Sequence, residues 1–183
     1  MNRLASLWLG LATLAGAPAD ASTFRRITLP ELVEDSVAVV QVRVLSTHSA
    51  WTLSSEPDLR TWADLRVVRS LDDTLAVGDT LTVAELGGTV DDYTVQAVGF
   101  PQLVVGDELV VFLTRWRGDS TDWRVAGYAQ GFYQVVHEAT GDALVPGRLQ
   151  GTAPGSDDLA EETVVPRGTR IDDLARAVRG LRR

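Results

Sequence analysis

The segment Glu108-Leu109-Val110-Val111-Phe112-Leu113 is the most apolar strand candidate in the chain, and it decides the predicted fold. It combines aliphatic, β-branched and aromatic residues over the length of a typical strand, and the turn signal Gly106-Asp107 precedes it. An apolar run of this kind is typical of a strand that is buried on both faces. We therefore predict that it is a central strand and that Phe112 is an anchor of the hydrophobic core.

Shorter strand candidates lie on both sides of this segment. Residues 37–45 are rich in valine, and residues 60–71 alternate between two faces before a turn signal at Asp72-Asp73. Residues 47–59 contain Ser, Glu, Pro and Asp and are interpreted as a loop. Further strands are predicted over residues 80–86, 93–98, 123–126 and 131–136, with Gly87-Gly88 ending the third strand. Short strands at close spacing with glycine-rich turns indicate a mainly β barrel or sandwich.

Two helices are predicted to flank the strands. Thr28 and Glu31 form the capping-box pattern at the start of a short helix that ends near Ser36. A second, amphipathic helix is predicted over residues 171–181, where apolar residues recur on one face. The predicted organisation is a leader over residues 1–21, a β-barrel domain over 22–149, a linker over 150–168 and a C-terminal helix in 169–183.

The beginning of the chain has the three-part pattern of a secretion signal. Met1-Asn2-Arg3 is cationic, an apolar run of about 11 residues follows, and Ala19-Asp20-Ala21 is a small-x-small cleavage site before Ser22. The run is much shorter than the roughly 20 residues that a membrane-spanning helix needs. We expect an exported chain, periplasmic or secreted, with no membrane span after signal cleavage. An uncleaved N-terminal anchor is the alternative.

The composition excludes several classes of function. The chain has 183 residues, a formal net charge of −8 and no cysteine, and all 17 of its basic residues are arginine. The acidic charge argues against a nucleic-acid partner and against binding to an anionic membrane surface. Without lysine, Schiff-base chemistry and the phosphate-binding lysine of a P-loop are both impossible.

The order of these elements resembles an uncharacterised group of exported bacterial β-domains. The shared pattern has a double glycine after the third strand, a Gly-x-Pro, a Gly-Glu-like turn before an apolar strand ending in Phe-Leu, and a later glycine-aromatic segment. In this chain the corresponding features are Gly87-Gly88, Gly99-Phe100-Pro101, Gly106-Asp107-Glu108 leading to Phe112-Leu113, and Gly127-Tyr128-Ala129-Gln130-Gly131-Phe132. The resemblance covers about residues 29–136 and carries no assigned activity.

More remotely, the layout is similar to netrin-like domains, which are five-stranded OB-type barrels and include the tissue inhibitors of metalloproteases. Those inhibitors place an N-terminal cysteine on the protease zinc and hold the N-terminus with disulfides, whereas this chain has no cysteine. The resemblance therefore implies a small antiparallel barrel of OB or netrin-like type, and the inhibitory mechanism does not transfer.

Few residues suit a catalytic or metal-binding role. The chain has two histidines, His48 and His137, and neither lies in a metal-binding motif. Asp91 and Asp92, in the loop after Gly87-Gly88, are the best candidate pair for calcium; the alternative is that both are solvated turn residues. We expect no catalytic metal and no cofactor.

Aromatic residues on predicted loops in the second half of the chain are candidates for a binding surface. Phe100, Trp116 and Tyr128 offer large contact areas with few rotatable bonds, and Arg115 and Arg117 flank Trp116. The alternative for Trp116 is that it folds back over the barrel as part of the core. The residues predict a non-enzymatic module that binds a protein or peptide partner. The alternative function is a periplasmic or secreted hydrolase that uses carboxylates, with or without a divalent ion.

Overall fold

The structure is a computed structural model that describes residues 25–116, 121–151 and 163–183. The elements in chain order are α1 (Leu29–Asp35), β1 (Ala38–Trp51), β2 (Leu59–Ser70), β3 (Thr80–Leu86), β4 (Gly88–Val90), β5 (Tyr93–Val95), β6 (Glu108–Arg115), β7 (Trp123–Val125), a 3-10 turn (Tyr128–Gly131), β8 (Phe132–Glu138), β9 (Gly141–Pro146) and α2 (Ile171–Leu181). The predicted mainly β fold, with a short helix before the strands and a second helix after them, is confirmed.

Five strands close into a barrel, as the sequence predicts. β1 pairs with β2 along one edge and with β6 along the other, and the circuit continues from β2 through β3 and β7 to β6. The β3–β7 pairing, at Val83 and Trp123, is parallel, whereas the other four barrel pairings are antiparallel. The interior is filled by buried apolar side chains from all five strands, among them Val42, Leu65, Val83, Val111 and Val125.

β6 is the central strand that its apolar run predicts. It pairs with β1 along one edge and with β7 and β8 along the other. Val111 belongs to the core inside the barrel, whereas Phe112 belongs to a second core that the two helices share with the outer face of the sheet. Phe112 is fully buried, and its ring meets that of Tyr133 edge-on with 6.4 Å between the centroids. The strand is buried on both faces because the helices cover the outer one.

Both helices form where the sequence pattern predicts them. The Thr28 hydroxyl accepts a hydrogen bond from the Glu31 backbone N–H at 3.4 Å, and the Glu31 carboxylate accepts one from the Thr28 N–H at 2.7 Å, which completes the capping box. α2 buries Ile171, Leu174 and Val178 in the outer core. The helix is therefore packed on the barrel by the apolar face that the sequence indicates.

β1 is longer than predicted. The sequence indicates a loop over residues 47–59, but β1 continues to Trp51 and only residues 52–58 connect it to β2. Every residue of the extension pairs with β2, from Thr47 opposite Ala63 onward. This pairing outweighs the polar character of the segment because it completes backbone hydrogen bonds along both strands.

The sequence pattern also misses two short strands and makes a third too long. β5 ends at Val95 rather than at residue 98, and it pairs with β4 in a hairpin outside the barrel. Gly88, interpreted as part of the stop after the third strand, is the first residue of β4. β9 adds to the free edge of β8. Strands of three to six residues contain too few alternating positions for a periodic signal.

Residues 163–168, within the predicted linker, are held against the barrel. The Val165 N–H donates to the Tyr133 hydroxyl at 3.1 Å, and the Gly168 N–H donates to the Leu144 carbonyl at 2.7 Å. Burial raises the pKa of Tyr133 to about 12. The predicted leader and residues 152–162 of the predicted linker lie outside the described residues.

Candidate functional site

Glu85 is the one acidic residue of β3, and it is buried. It lies on the same strand face as Val83, and it is only 1% exposed. Its Oε1 accepts a hydrogen bond from the Val125 N–H at 2.6 Å, whereas its Oε2 has no partner among the described residues. Burial raises the pKa of this carboxyl to about 7, although the Val125 hydrogen bond and the charges of Arg124 and Arg60 act to lower it.

Two arginines and three aromatic residues pack together close to Glu85. The Arg60 guanidinium carbon lies 4.2 Å from the centre of the Trp116 ring. The Arg124 guanidinium carbon lies 4.5 Å from the same ring and 5.1 Å from the ring of Tyr128. The Tyr128 ring meets that of Phe100 edge-on, with 4.9 Å between the centroids. We call these five residues the arginine–aromatic cluster. Because an aromatic face attracts a cation, the rings hold both guanidinium groups in place.

Trp116 combines the two roles that the sequence leaves open. The residue is half-buried, and its indole Nε1 donates a hydrogen bond to the Ala84 carbonyl at 2.7 Å. This bond attaches the segment after β6 to β3. Part of the indole is thus structural, so a Trp116→Ala substitution would disturb the site as well as any contact that the ring makes with a partner.

The structure brings together three of the five residues predicted for binding. Phe100, Trp116 and Tyr128 all belong to the arginine–aromatic cluster. Arg115 is exposed and packs over a different ring, with its guanidinium carbon 3.5 Å from the centre of Trp123. Arg117 lies outside the described residues.

Sequence reasoning missed Arg60, Glu85 and Arg124. A signal for Glu85 does exist, because residues 81, 83 and 85 share one face of a strand and the first two are apolar. If Leu81 and Val83 are buried, an acidic residue at position 85 is expected to be buried on the same face. The two arginines carry no comparable signal, since an arginine on a strand is most often simply exposed.

Three buried side-chain atoms lack a hydrogen-bond partner in the described part of the chain: Arg60 Nε, Glu85 Oε2 and Arg124 Nε. They belong to one region, because both arginines contact the Trp116 ring and both act on the charge of Glu85. Buried polar atoms in folded proteins are almost always hydrogen-bonded, and an unpaired one costs roughly 1–3 kcal/mol. Local departures of this kind are typical of functional sites.

A cavity of about 690 Å³ opens beside Glu85. Its wall comes from the barrel strands β1 to β3, the β4–β5 hairpin and two segments around residues 101–103 and 149–151. Apart from Glu85, the described wall is uncharged, and its polar side chains are Ser49, Thr61, Thr89, Thr94, Gln96, Gln102 and Gln150. The volume is within the range of small-molecule sites, roughly 300–1,000 Å³.

The predicted metal and histidine candidates stand apart from this region. Asp91 and Asp92 are exposed at the tip of the β4–β5 hairpin, and the described residues contain no group of three or more potential metal ligands. His48 stacks on Trp62 with 5.5 Å between the centroids. His137 is exposed, and its hydrogen bond to Asp142 raises its pKa.

The comparisons with known proteins assign no family to this arrangement: no family model, curated protein or solved structure matches the chain. Neither of the helices within the described ranges has the length and apolar character needed to cross a membrane.

Proposed function

We propose that the chain is a non-enzymatic binding module of OB type whose arginine–aromatic cluster contacts a protein or peptide partner. The observation that carries the proposal is the concentration of unpartnered buried polar atoms at Arg60, Glu85 and Arg124. These atoms are themselves buried, but Arg60 and Arg124 are only partly buried, so a partner that brings acceptor groups to this region would meet their guanidinium groups.

The barrel topology supports the OB-type assignment. If the five barrel strands are numbered 1 to 5 in chain order, their order around the barrel is 1-2-3-5-4 and back to 1. Strands 3 and 5, which are β3 and β7, are parallel. This is the Greek-key order of OB barrels, which bind ligands on one open face and its loops. The arginine–aromatic cluster draws on such a face, since Arg60 lies on β2, Arg124 on β7 and Trp116 just after β6.

Arg124 points to the chemistry of the partner. Arg60 has a carboxylate within reach, at 3.2 Å from Asp58, whereas Arg124 forms no salt bridge among the described residues. Arginine binds a carboxylate through paired N–H donors, and a guanidinium already held over a ring loses little freedom when it does so. We therefore expect a partner that presents an Asp or Glu side chain or a C-terminal carboxylate.

We also propose that the module acts outside the cytoplasm, in the periplasm or as a secreted protein, after removal of residues 1–21. The support is the secretion-signal pattern of those residues. The absence of cysteine is compatible with export, because a domain of this size does not depend on disulfides.

The alternative function, a carboxylate-dependent hydrolase, has less support. Such an enzyme uses two carboxyl groups on opposite sides of a cleft. Within the described ranges, the cavity wall contributes one carboxyl, that of Glu85. Its raised pKa suits a general acid, but the described wall supplies no second carboxyl to work with it.

Peptide selection followed by a matched titration tests the binding proposal. A random peptide library is selected on the immobilised protein, and the enriched peptides are measured by fluorescence anisotropy against versions with every carboxylate replaced by an amide. We expect acidic peptides to be enriched and Arg124→Gln to weaken their binding at least tenfold, because a hydrogen bond between charged groups contributes roughly 1.5–3 kcal/mol.

Arg176→Gln is the matched control. Arg176 is an exposed arginine on α2 that pairs with Asp173, and its replacement changes the net charge by the same amount. The control should bind as tightly as the unsubstituted protein. The proposal fails if no peptide is enriched, or if Arg124→Gln and Arg176→Gln have equal effects.

A further inference from the structure

The cavity beside Glu85 is braced by one side chain. The Gln150 side-chain amide donates to the Leu86 carbonyl at 2.8 Å and to the Pro101 carbonyl at 3.2 Å. Its oxygen accepts from the Ala97 N–H at 3.2 Å. Gln150 thereby joins the end of β3 to the two loops that complete the wall, so the cavity is formed before any ligand enters it.

Two hydroxyl groups on the wall, those of Ser49 and Thr61, already use their protons in hydrogen bonds within the protein. The Thr61 hydroxyl donates to the Gly87 carbonyl at 2.8 Å, so the 2.9 Å bond between Ser49 and Thr61 has Ser49 as its donor. Both oxygens then offer only lone pairs to a ligand. Glu85 belongs to the same wall, and its buried Oε2 accepts no hydrogen bond from the described residues.

We propose that this cavity binds an organic cation, an ammonium or guanidinium group, through the free oxygen of Glu85 and the neighbouring Ser49 and Thr61 hydroxyls. Such a group is all donor, which matches the acceptors that Glu85, Ser49 and Thr61 offer on this part of the wall. It also brings the positive charge that a buried carboxylate lacks on this side, and a hydrogen bond between charged groups is about twice as strong as a neutral one. The net charge of −8 favours the approach of a cation from solution.

The two arginines near Glu85 do not take the place of this ligand. Arg60 and Arg124 are absent from the described cavity wall, and neither comes within hydrogen-bonding distance of Glu85 Oε2. Their charges favour the ionised carboxyl, yet burial still raises its pKa to about 7. A cation that enters from the cavity would add the contact that the arginines do not make.

The test compares a diamine with its neutral counterpart. Pentane-1,5-diamine and pentane-1,5-diol have the same length but differ in charge, and their binding to the protein at pH 8 is followed by NMR chemical-shift titration. We expect the diamine to shift the resonances of residues on the cavity wall and the diol to leave them unchanged. A blocked tripeptide with a central lysine, titrated in parallel, distinguishes a free amine from a peptide side chain as the source of the cation.

Two variants with equal net charge assign the effect to Glu85. Glu85→Gln should weaken diamine binding at least tenfold, whereas Glu138→Gln, at an exposed acid paired with Arg170, should leave it unchanged. Equal binding of diamine and diol to the unsubstituted protein overturns the proposal, whether or not Glu85→Gln folds. Equal effects of the two variants also overturn it. The result is independent of the peptide partner proposed for Arg124.

Discussion

The helix-covered side of the barrel and the side that carries the arginine–aromatic cluster bury polar groups in opposite ways. Under the helices, the Asp72 side chain is fully buried and accepts hydrogen bonds from Val39 N–H at 2.9 Å and from Arg182 at 3.1 Å. On the other side, Glu85 is just as deeply buried, and one of its oxygens has no partner in the described part of the chain.

The helix-covered side repeats this complete pairing at other positions. Gln130 accepts from the Ile27 N–H and donates to the Arg25 carbonyl, both at 3.0 Å, and so fixes the chain before α1. Arg182 reaches from the end of α2 to the Ser36 carbonyl at 3.0 Å as well as to Asp72. These bonds close the junction between helices and sheet.

Under the proposed function, the difference separates polar groups that hold the fold from polar groups that serve a ligand. Burying a polar group has the same physical cost on both sides. Hydrogen bonds inside the protein offset that cost for every oxygen of Asp72, but for only one of the two oxygens of Glu85. A chain under selection for stability alone would have filled the second site with apolar residues or completed its bonds. We infer that the cluster side is kept incomplete for binding.

The largest effect is expected from the outer core. Phe112→Ala should lower the free energy of unfolding by roughly 3–5 kcal/mol, because the side chain is fully buried and its removal leaves a cavity against Tyr133. A urea titration measures the loss. The control is Leu53→Ala, at a fully exposed leucine, which should have almost no effect. A near-neutral result for Phe112→Ala would contradict the placement of β6 at the centre of the fold.

An intermediate effect is expected at Asp72. Asp72→Asn should cost about 2 kcal/mol, because the hydrogen bonds to Arg182 and to the Val39 N–H lose their charged acceptor. Asp35→Asn, at an exposed acid, is the control for the loss of one negative charge. Equal urea midpoints for the two variants would show that the stability of the helix-covered side does not depend on the hydrogen bonds of Asp72. The proposed difference between the two sides would then be wrong.

The helix-covered side could be predicted from the sequence because its signals are local. The capping box at Thr28, the apolar face of α2 and the apolar run that ends at Phe112 and Leu113 each lie within a few neighbouring residues. Backbone propensity and amphipathic period act over that distance. The pairing of Asp72 with Arg182 could not be predicted, because the two residues are 110 positions apart.

The cluster side could be predicted only in part. Phe100, Trp116 and Tyr128 stand out as loop aromatics, but nothing in the sequence indicates that Arg124 lies over two of their rings. The contact with Trp116 depends on the antiparallel pairing of β6 with β7, and the contact of Arg60 with the same ring depends on the closure of the barrel. The burial of Glu85 could have been predicted, since an acidic residue on an apolar strand face is a local signal.

The most direct test of the account is the stability of the unsubstituted protein and of Glu85→Gln, measured by urea unfolding at pH 5 and at pH 8. The folded-state pKa of Glu85 is raised from 4.5 to about 7, so its contribution to stability is present below pH 4.5 and lost as the pH rises through 7. Glutamine can still accept from the Val125 N–H but carries no charge. We therefore predict that Glu85→Gln is more stable than the unsubstituted protein at pH 8 by roughly 1 kcal/mol, and that the advantage shrinks or reverses at pH 5. A Glu85→Gln variant that is less stable at pH 8, as Asp72→Asn is expected to be, would show that the carboxylate is fully paired and would contradict the account.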